Sequence, residues 1–271
     1  MSSVTSTVEL PEPILSSPSR TDILGVGVSI INMDDAIRQC DELIRSNNQG
    51  YVCATDVHSV TEALSDPTFR AILNGSFMTA PDGMPLVWMG RLQGHTRMSR
   101  VYGPDFLLEM CRLSVQRGYR NYFYGGKPGI ADRLSARLTA LIPGLNVAGT
   151  YTPPFRPLTA VEEKQLIAHV EQTKPDVFWV GLGSPKQERF MAQYCGKLDC
   201  KLMVGVGAAF DFHSGAVKEA PRWMRKSGFQ WLHRLVQEPQ RLWRRYLICI
   251  PEFLWNIGLQ SVGLGRYGQE T

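Results

Sequence analysis

The chain has 271 residues, 44% of them apolar and 20% charged, with a formal net charge of +4. That composition is ordinary for a globular protein, and the length suits one large domain or a domain plus an appendage. Six cysteines show no CxxC spacing and no metal-ligand pairing with the five histidines, so a zinc framework is excluded and reduced core thiols of a cytosolic protein are expected.

Residues 1–21 are rich in Ser, Thr and Pro and lack a basic region followed by an apolar one. They read as a mobile leader rather than a secretory signal. The body, residues 22–215, then alternates strand and helix patterns. Ile23–Ile31 reads as a strand, and Met33–Arg45 has helical spacing after Asn32, a helix cap. Val52–Thr55 is a short apolar strand leading to helical turns near Ser59–Leu64 and Pro67–Leu73, and Phe77–Thr79 is the next strand. Phe106–Arg117 is an amphipathic helix, followed by a strand, Tyr119–Tyr124, and a helix, Gly129–Leu141. Val147–Gly149 and Thr159–Gln172 repeat the pattern. Val177–Gly181 (VFWVG) reads as a buried strand before the helix Gln187–Tyr194, and Lys201–Gly205 is the last strand. Strands separated by such helices predict βαβ units, hence an α/β fold with a Rossmann-like, mostly parallel sheet flanked by helices.

Residues 216–271 form a basic helical appendage in this reading. From Lys218 to Tyr246 there are eight basic residues against Glu219 and Glu238, a local charge of +6, so the rest of the chain sums to −2. The cations, Arg222 among them, are interleaved with Trp223, Trp231, Trp243 and Tyr246. Cations mixed with amphipathic aromatics suit a phosphate-rich, half-apolar partner, an anionic membrane surface first and nucleic acid second. Trp231, Leu232, Leu235 and Val236 make an amphipathic face, which packs on a core or a lipid more readily than it stacks bases. Tyr246–Leu259 falls short of the roughly twenty apolar residues of a spanning helix and contains Pro251, Glu252 and Asn256.

In an open parallel sheet, ligands bind at the carboxyl ends of the strands, so polar and glycine-rich signals after each strand carry the chemistry. Thr55-Asp56-Val57-His58 directly follows the strand Val52–Ala54 and offers a hydroxyl, a carboxylate and an imidazole; as a plain alternative, Thr55 or Asp56 caps the next helix. Thr79-Ala80-Pro81-Asp82-Gly83-Met84-Pro85 places one carboxylate on a proline-stiffened loop, useful for a general base and equally readable as a simple turn. Gly125-Gly126-Lys127-Pro128-Gly129 can cradle phosphate with backbone N–H groups and Lys127, although it is neither a Walker loop nor GxGxxG. Gly181-Leu-Gly183-Ser184-Pro-Lys186-Gln187-Glu188 is richer in donors than a tight turn requires. Asp211, after Gly205-Val-Gly207, can accept bonds from ribose hydroxyls or a base edge. No GxSxG elbow, HExxH or Asp-x-Asp pair occurs. A bound diphosphate therefore has to be neutralised by cations and backbone amides.

Taken in order, TAPDGMP, RVYGPD (Arg100–Asp105), YGGKPG, GLGSPKQE, GVGAAFD and APRWM…WLHRLVQEP…RRYL resemble the WecG/TagA/CpsF glycosyltransferases over roughly residues 23–250. The resemblance implies a bacterial enzyme of cell-surface polysaccharide synthesis at the inner face of the plasma membrane. It would move a sugar from a UDP-sugar to a polyprenyl-diphosphate-linked sugar, with inversion, no required metal and no cofactor. It also implies roles by motif: Asp82 as base, Thr55, Arg100 and Gln187 as pocket residues, and Asp211 as a nucleotide contact. Arg234, Arg241 and Arg244 would belong to an appendage that closes over the site and touches the membrane. At the first loop this chain departs from many members, reading Thr55-Asp56-Val57-His58 in place of Thr-x-Asn, a difference that bears on the sugar used. A non-catalytic nucleotide- or nucleic-acid-binding module is the competing reading, and a homo-oligomer is compatible with either.

Overall fold

The computed structural model of the protein describes residues 17–264 and Tyr267, apart from the side chains of Lys226, Arg241, Arg244 and Arg245. Most of the leader thus lies outside the described residues. The apolar segment after it, expected as one strand, is a hairpin. β1 (Arg20–Ile23) and β2 (Val26–Ser29) pair antiparallel around Leu24-Gly25, whose φ values are 54° and 83°. Two consecutive left-handed residues make the tight turn that matches strand twist. Nothing in LGVG announces it, because the usual Asn-Gly or Asp-Gly signal is absent. Arg20, inside the expected leader, starts the hairpin and donates to Asn74 O (3.1 Å) and Thr79 Oγ1 (3.2 Å).

Six strands then form one parallel sheet in the order β4-β3-β8-β7-β5-β6. They are β3 (Gly50–Thr55), β4 (Met78–Pro81), β5 (Arg120–Gly125), β6 (Asn146–Tyr151), β7 (Val177–Gly181) and β8 (Leu202–Gly205). Between them run α1 (Met33–Arg45), α2 (Val57–Ser65), α3 (Pro67–Asn74), α4 (Met84–Leu92), α5 (Gly103–Arg117), α6 (Ile130–Leu141), α7 (Ala160–Thr173) and α8 (Lys186–Tyr194). α9 (Ala209–His213) follows the sheet, and α10 (Arg222–Lys226), α11 (Gln230–Gln237) and α12 (Pro239–Ser261) complete the described chain. Local chemistry sets several starts. Asn32 closes a capping box on α1, Thr159 does so on α7, and Asp66 with Pro67 opens α3.

Alternation along the strands divides the core in two. On β7, Val177 and Trp179 join one apolar cluster with α1, α5, α6 and α9, while Phe178 and Val180 join the other with α2, α3, α7 and α8. Helices leaving β5 and β8 therefore lie on one face and those leaving β3, β6 and β7 on the other. The loops at the carboxyl ends of the strands fan apart between them.

The appendage packs on this body. Phe253 and Ile257 of α12 are buried in the second cluster, and Gln260 donates to Asp22 Oδ1 (2.6 Å) while accepting from Leu24 N (3.3 Å). Pro239 stands at the first turn of α12, as the Glu238-Pro239 break predicts. Among the described residues no helix is long and apolar enough to cross a membrane.

Gly181 ends β7 beneath the buried Phe210 ring: a Cβ there would meet Phe210 Cγ at 2.5 Å. Gly181→Ala is expected to destabilise the fold by about 1–3 kcal/mol through overpacking, read as a drop of several degrees in Tm. An unchanged Tm would mean that the ring yields without penalty.

Candidate active site

Asp82 sits just past β4, where its N–H donates to Thr55 O (2.8 Å) and Val101 N–H donates to Pro81 O (2.9 Å). These bonds fasten the turn to the end of β3 on one side and to the approach to α5 on the other. Arg100 closes over it: Nε donates to Asp82 O, and Nη2 lies 3.3 Å from Asp82 Oδ1. Gly103 N–H also donates to Oδ1, at 3.4 Å. Burial pushes the Asp82 carboxyl above its ordinary value, opposed by the Arg100 charge and reinforced by nearby Asp56. The result is a largely desolvated carboxylate held at a fixed angle.

The first loop contributes differently from its polar appearance. Thr55 is fully buried and its hydroxyl donates to Cys53 O at 3.2 Å. Asp56 caps α2 by accepting from Ser59 N–H (3.1 Å). Ser59 Oγ in turn lies 3.3 Å from Ser184 Oγ, which joins the first loop to GSPKQE. From there Gln187, also buried, accepts from Gly207 N–H (3.0 Å) and donates to Glu188 Oε1 (3.0 Å). A hydrogen-bonded belt thus runs across the ends of β3, β7 and β8. Glu188, expected only as an acidic helix start, lies wholly inside this belt, and its Oε2 has no hydrogen-bond partner among the described residues.

The glycines separate by cause. Gly125 (φ 128°) and Gly126 (φ 77°) are required by packing, since a Cβ would meet the Gly181 carbonyl carbon at 2.6 Å or Ile130 Cγ2 at 2.7 Å. At Gly183 (φ 76°) a Cβ would meet nothing within 4 Å, so only its left-handed backbone needs glycine there. Lys127 is exposed beyond the end of β5, four strands from β4, and Lys186 is exposed at the start of α8. Asp211 lies in α9 past β8, its carbonyl accepting from Ala216 and Val217 N–H.

The appendage reaches the same place. Arg100 Nη2 donates to Gln230 Oε1 (2.7 Å), Gln230 Nε2 donates to the Tyr102 hydroxyl (2.6 Å), and Arg100 Nη1 donates to Arg225 O (3.0 Å). The Arg100 guanidinium also stacks 4.3 Å from the Tyr102 ring centroid. Arg225 pairs with Asp105 (3.2 Å) and Glu219 (3.0 Å). Arg234 lies 5.8 Å from the Phe212 ring centroid and 4.0 Å from Glu238 Oε2, and its buried Nε has no acceptor among the described residues. Arg222 is exposed, and the side chains of Arg241 and Arg244 lie outside the described residues. Sequence reasoning did not single out Tyr102, Arg225, Gln230 or the buried state of Glu188. A Gln inside the apolar run Phe229-Gln230-Trp231-Leu232 is the one cue pointing to a buried polar contact.

Burial pushes the Glu188 carboxyl from an ordinary 4.5 up to about 7, with Asp56 adding and bonds from Gln187 and Ser184 opposing. An acid whose pKa rises on folding holds its proton more tightly in the folded state. Stability from this group is therefore full below about pH 4.5 and is lost as pH climbs toward 7, on the order of 3 kcal/mol. Glu188→Gln is expected to remove this slope, measured as urea stability at pH 5 against pH 7.5. An identical slope in the variant would locate the dependence elsewhere.

Comparison with known proteins agrees with this geometry. A family model described as "Glycosyl transferase WecG/TagA/CpsF family" matches residues 21–266. An "N-acetylglucosaminyldiphosphoundecaprenol N-acetyl-beta-D-mannosaminyltransferase" of Bacillus subtilis (strain 168) is 30% identical over 196 residues, covering 72% of this chain and 73% of the relative. A protein of the same name from Bacillus spizizenii (strain ATCC 23059 / NRRL B-14472 / W23) is 28% identical over 208 residues, covering 77% and 78%. With the family's motifs gathered at one end of a parallel sheet, the chain belongs to the WecG/TagA/CpsF family of glycosyltransferases.

Proposed function

We propose that the protein is an inverting glycosyltransferase that moves a sugar from a UDP-sugar to a sugar carried on a polyprenyl diphosphate at the cytoplasmic face of a bacterial membrane, without a required metal. The observation that carries this reading is Asp82, partly buried, pushed up in pKa and fixed on a stiff turn with Arg100 on Oδ1. Asp82 Oδ2 then takes the proton of the acceptor hydroxyl as that oxygen bonds to the anomeric carbon. The carbon–oxygen bond to UDP breaks, and UDP leaves with the electron pair. A raised pKa makes the carboxylate a stronger base at neutral pH.

The departing diphosphate gathers negative charge, which preorganised cations stabilise in a partly dry site. Arg234, with its unsatisfied Nε beside Phe212, is assigned to that charge, together with Lys186 and the backbone N–H groups around Gly183. The acceptor reading follows the relatives, whose names specify an N-acetylglucosaminyl-diphosphoundecaprenol. On the appendage, Trp223, Val236, Leu247, Leu254 and Trp255 are each more than half exposed. Large apolar side chains on a basic surface fit a lipid headgroup layer, where such an acceptor lies.

UDP release with UDP-N-acetylmannosamine and a short-chain polyprenyl-diphosphate N-acetylglucosamine, in EDTA, is the first assay. Turnover is expected in the wild type, and Asp82→Asn should lower kcat by at least 100-fold while UDP still binds. A fully active variant would remove Asp82 as the base, and a strict divalent-metal requirement would overturn the metal-free scheme. Separately, a chain ending near residue 220 is expected to lose binding to anionic liposomes in sedimentation. Retained binding would place the membrane contact on the core.

A further inference from the structure

The loop between β6 and α7, Thr152-Pro153-Pro154-Phe155-Arg156-Pro157, holds Phe155 at 95% exposure, and among the described residues no other large apolar side chain is as open. A single exposed apolar residue is ordinary by itself. The loop that carries this one, however, is held in place. Arg156 is clamped to both oxygens of Glu162 (2.7 and 2.8 Å), and Thr152 Oγ1 donates to Gly125 O at 3.3 Å. Three prolines restrict the backbone around it. Lys186 Nζ sits 3.9 Å from the ring centroid. The ring therefore stands on a restrained loop tied to both YGGKPG and GSPKQE, with an ammonium on one face.

We propose that Phe155 is the stacking platform for the nucleobase of the donor, with Lys186 beside it for the diphosphate; this rests on the nucleotide-sugar reading above. A flat π-surface next to a cation matches a base followed by phosphates. Position favours the base over the acceptor sugar or its lipid. Lys186 follows β7, three strands from β4, and three spacings of about 4.8 Å put the platform roughly 14 Å from the Asp82 end of the row. The donor spans that distance when its anomeric carbon meets Asp82 and its base lies at the far end. The acceptor hydroxyl has to arrive at Asp82 itself, on the side where Arg225 and Gln230 of the appendage stand.

The test is UDP binding by calorimetry, together with the Michaelis constants of the full-length chain. Phe155→Ala is expected to weaken UDP binding about tenfold or more and raise the donor KM by a similar factor. Phe155→Trp should bind as tightly as the wild type, and acceptor KM and Tm should stay unchanged in both. Wild-type UDP affinity in Phe155→Ala, or an effect confined to acceptor KM, would overturn the platform. A wild-type protein that binds no uridine nucleotide would overturn the nucleotide-sugar reading instead.

Discussion

One guanidinium joins the two parts of this protein. Arg100 grips the Asp82 turn through Nε and Nη2 and the appendage through Gln230 Oε1 and Arg225 O. Both Arg100 and Asp82 are largely removed from water, with side chains 18% and 23% exposed. Burying such a pair is unfavourable unless further hydrogen bonds use the remaining donors and acceptors. Gln230, Gly103 N–H and two backbone carbonyls supply those bonds. Because Gln230 and Arg225 lie on the C-terminal helices, those helices share in fixing Arg100 against the Asp82 turn.

The same economy of contacts explains why so many glycines crowd the strand ends. Where β5 and β7 run side by side, Gly125 and Gly181 face each other across the ladder, and Gly126 N–H donates to Gly181 O at 2.9 Å. A side chain at any of these three positions would collide with backbone, with Phe210 or with Ile130. Those glycines answer to packing first and leave room for a ligand as a consequence. Gly183 is different. Its surroundings are open, so the sequence GLGSPKQE combines one glycine that the core demands with one that the loop conformation demands.

How much of this can be read from the chain alone follows the physics of each feature. Six parallel strands and their helices are legible because buried strands such as VFWVG and capped amphipathic helices such as Asn32–Arg45 carry local signals. The hairpin at Leu24-Gly25 is not, since its turn uses a buried leucine in the left-handed region. α4 is missed because Pro85 and Gly83 suggest a loop, although proline is at home in a first helical turn. For the site, strand-end position points to Asp82, Gln187 and Asp211. Contacts across long sequence separations, such as Arg100 with Gln230, leave no periodic or compositional trace. Asp56 shows the reverse: its polar character fits a pocket, and the structure uses it to cap α2.

The departure at the first loop takes its meaning from the appendage as well. Val57, where many family members read an amide, is partly buried and packs with the second apolar cluster, while its carbonyl accepts from Thr61 Oγ1 at 2.9 Å. His58 beside it places Nδ1 3.6 Å from Cys249 Sγ on α12. The first loop is therefore packed from behind by the helix that carries the exposed apolar surface. A change of residue there alters the polarity of the strand end and the seat of α12 together. The first loop and the seat of α12 are thus joined through α2, as the Asp82 turn and α11 are joined through Arg100.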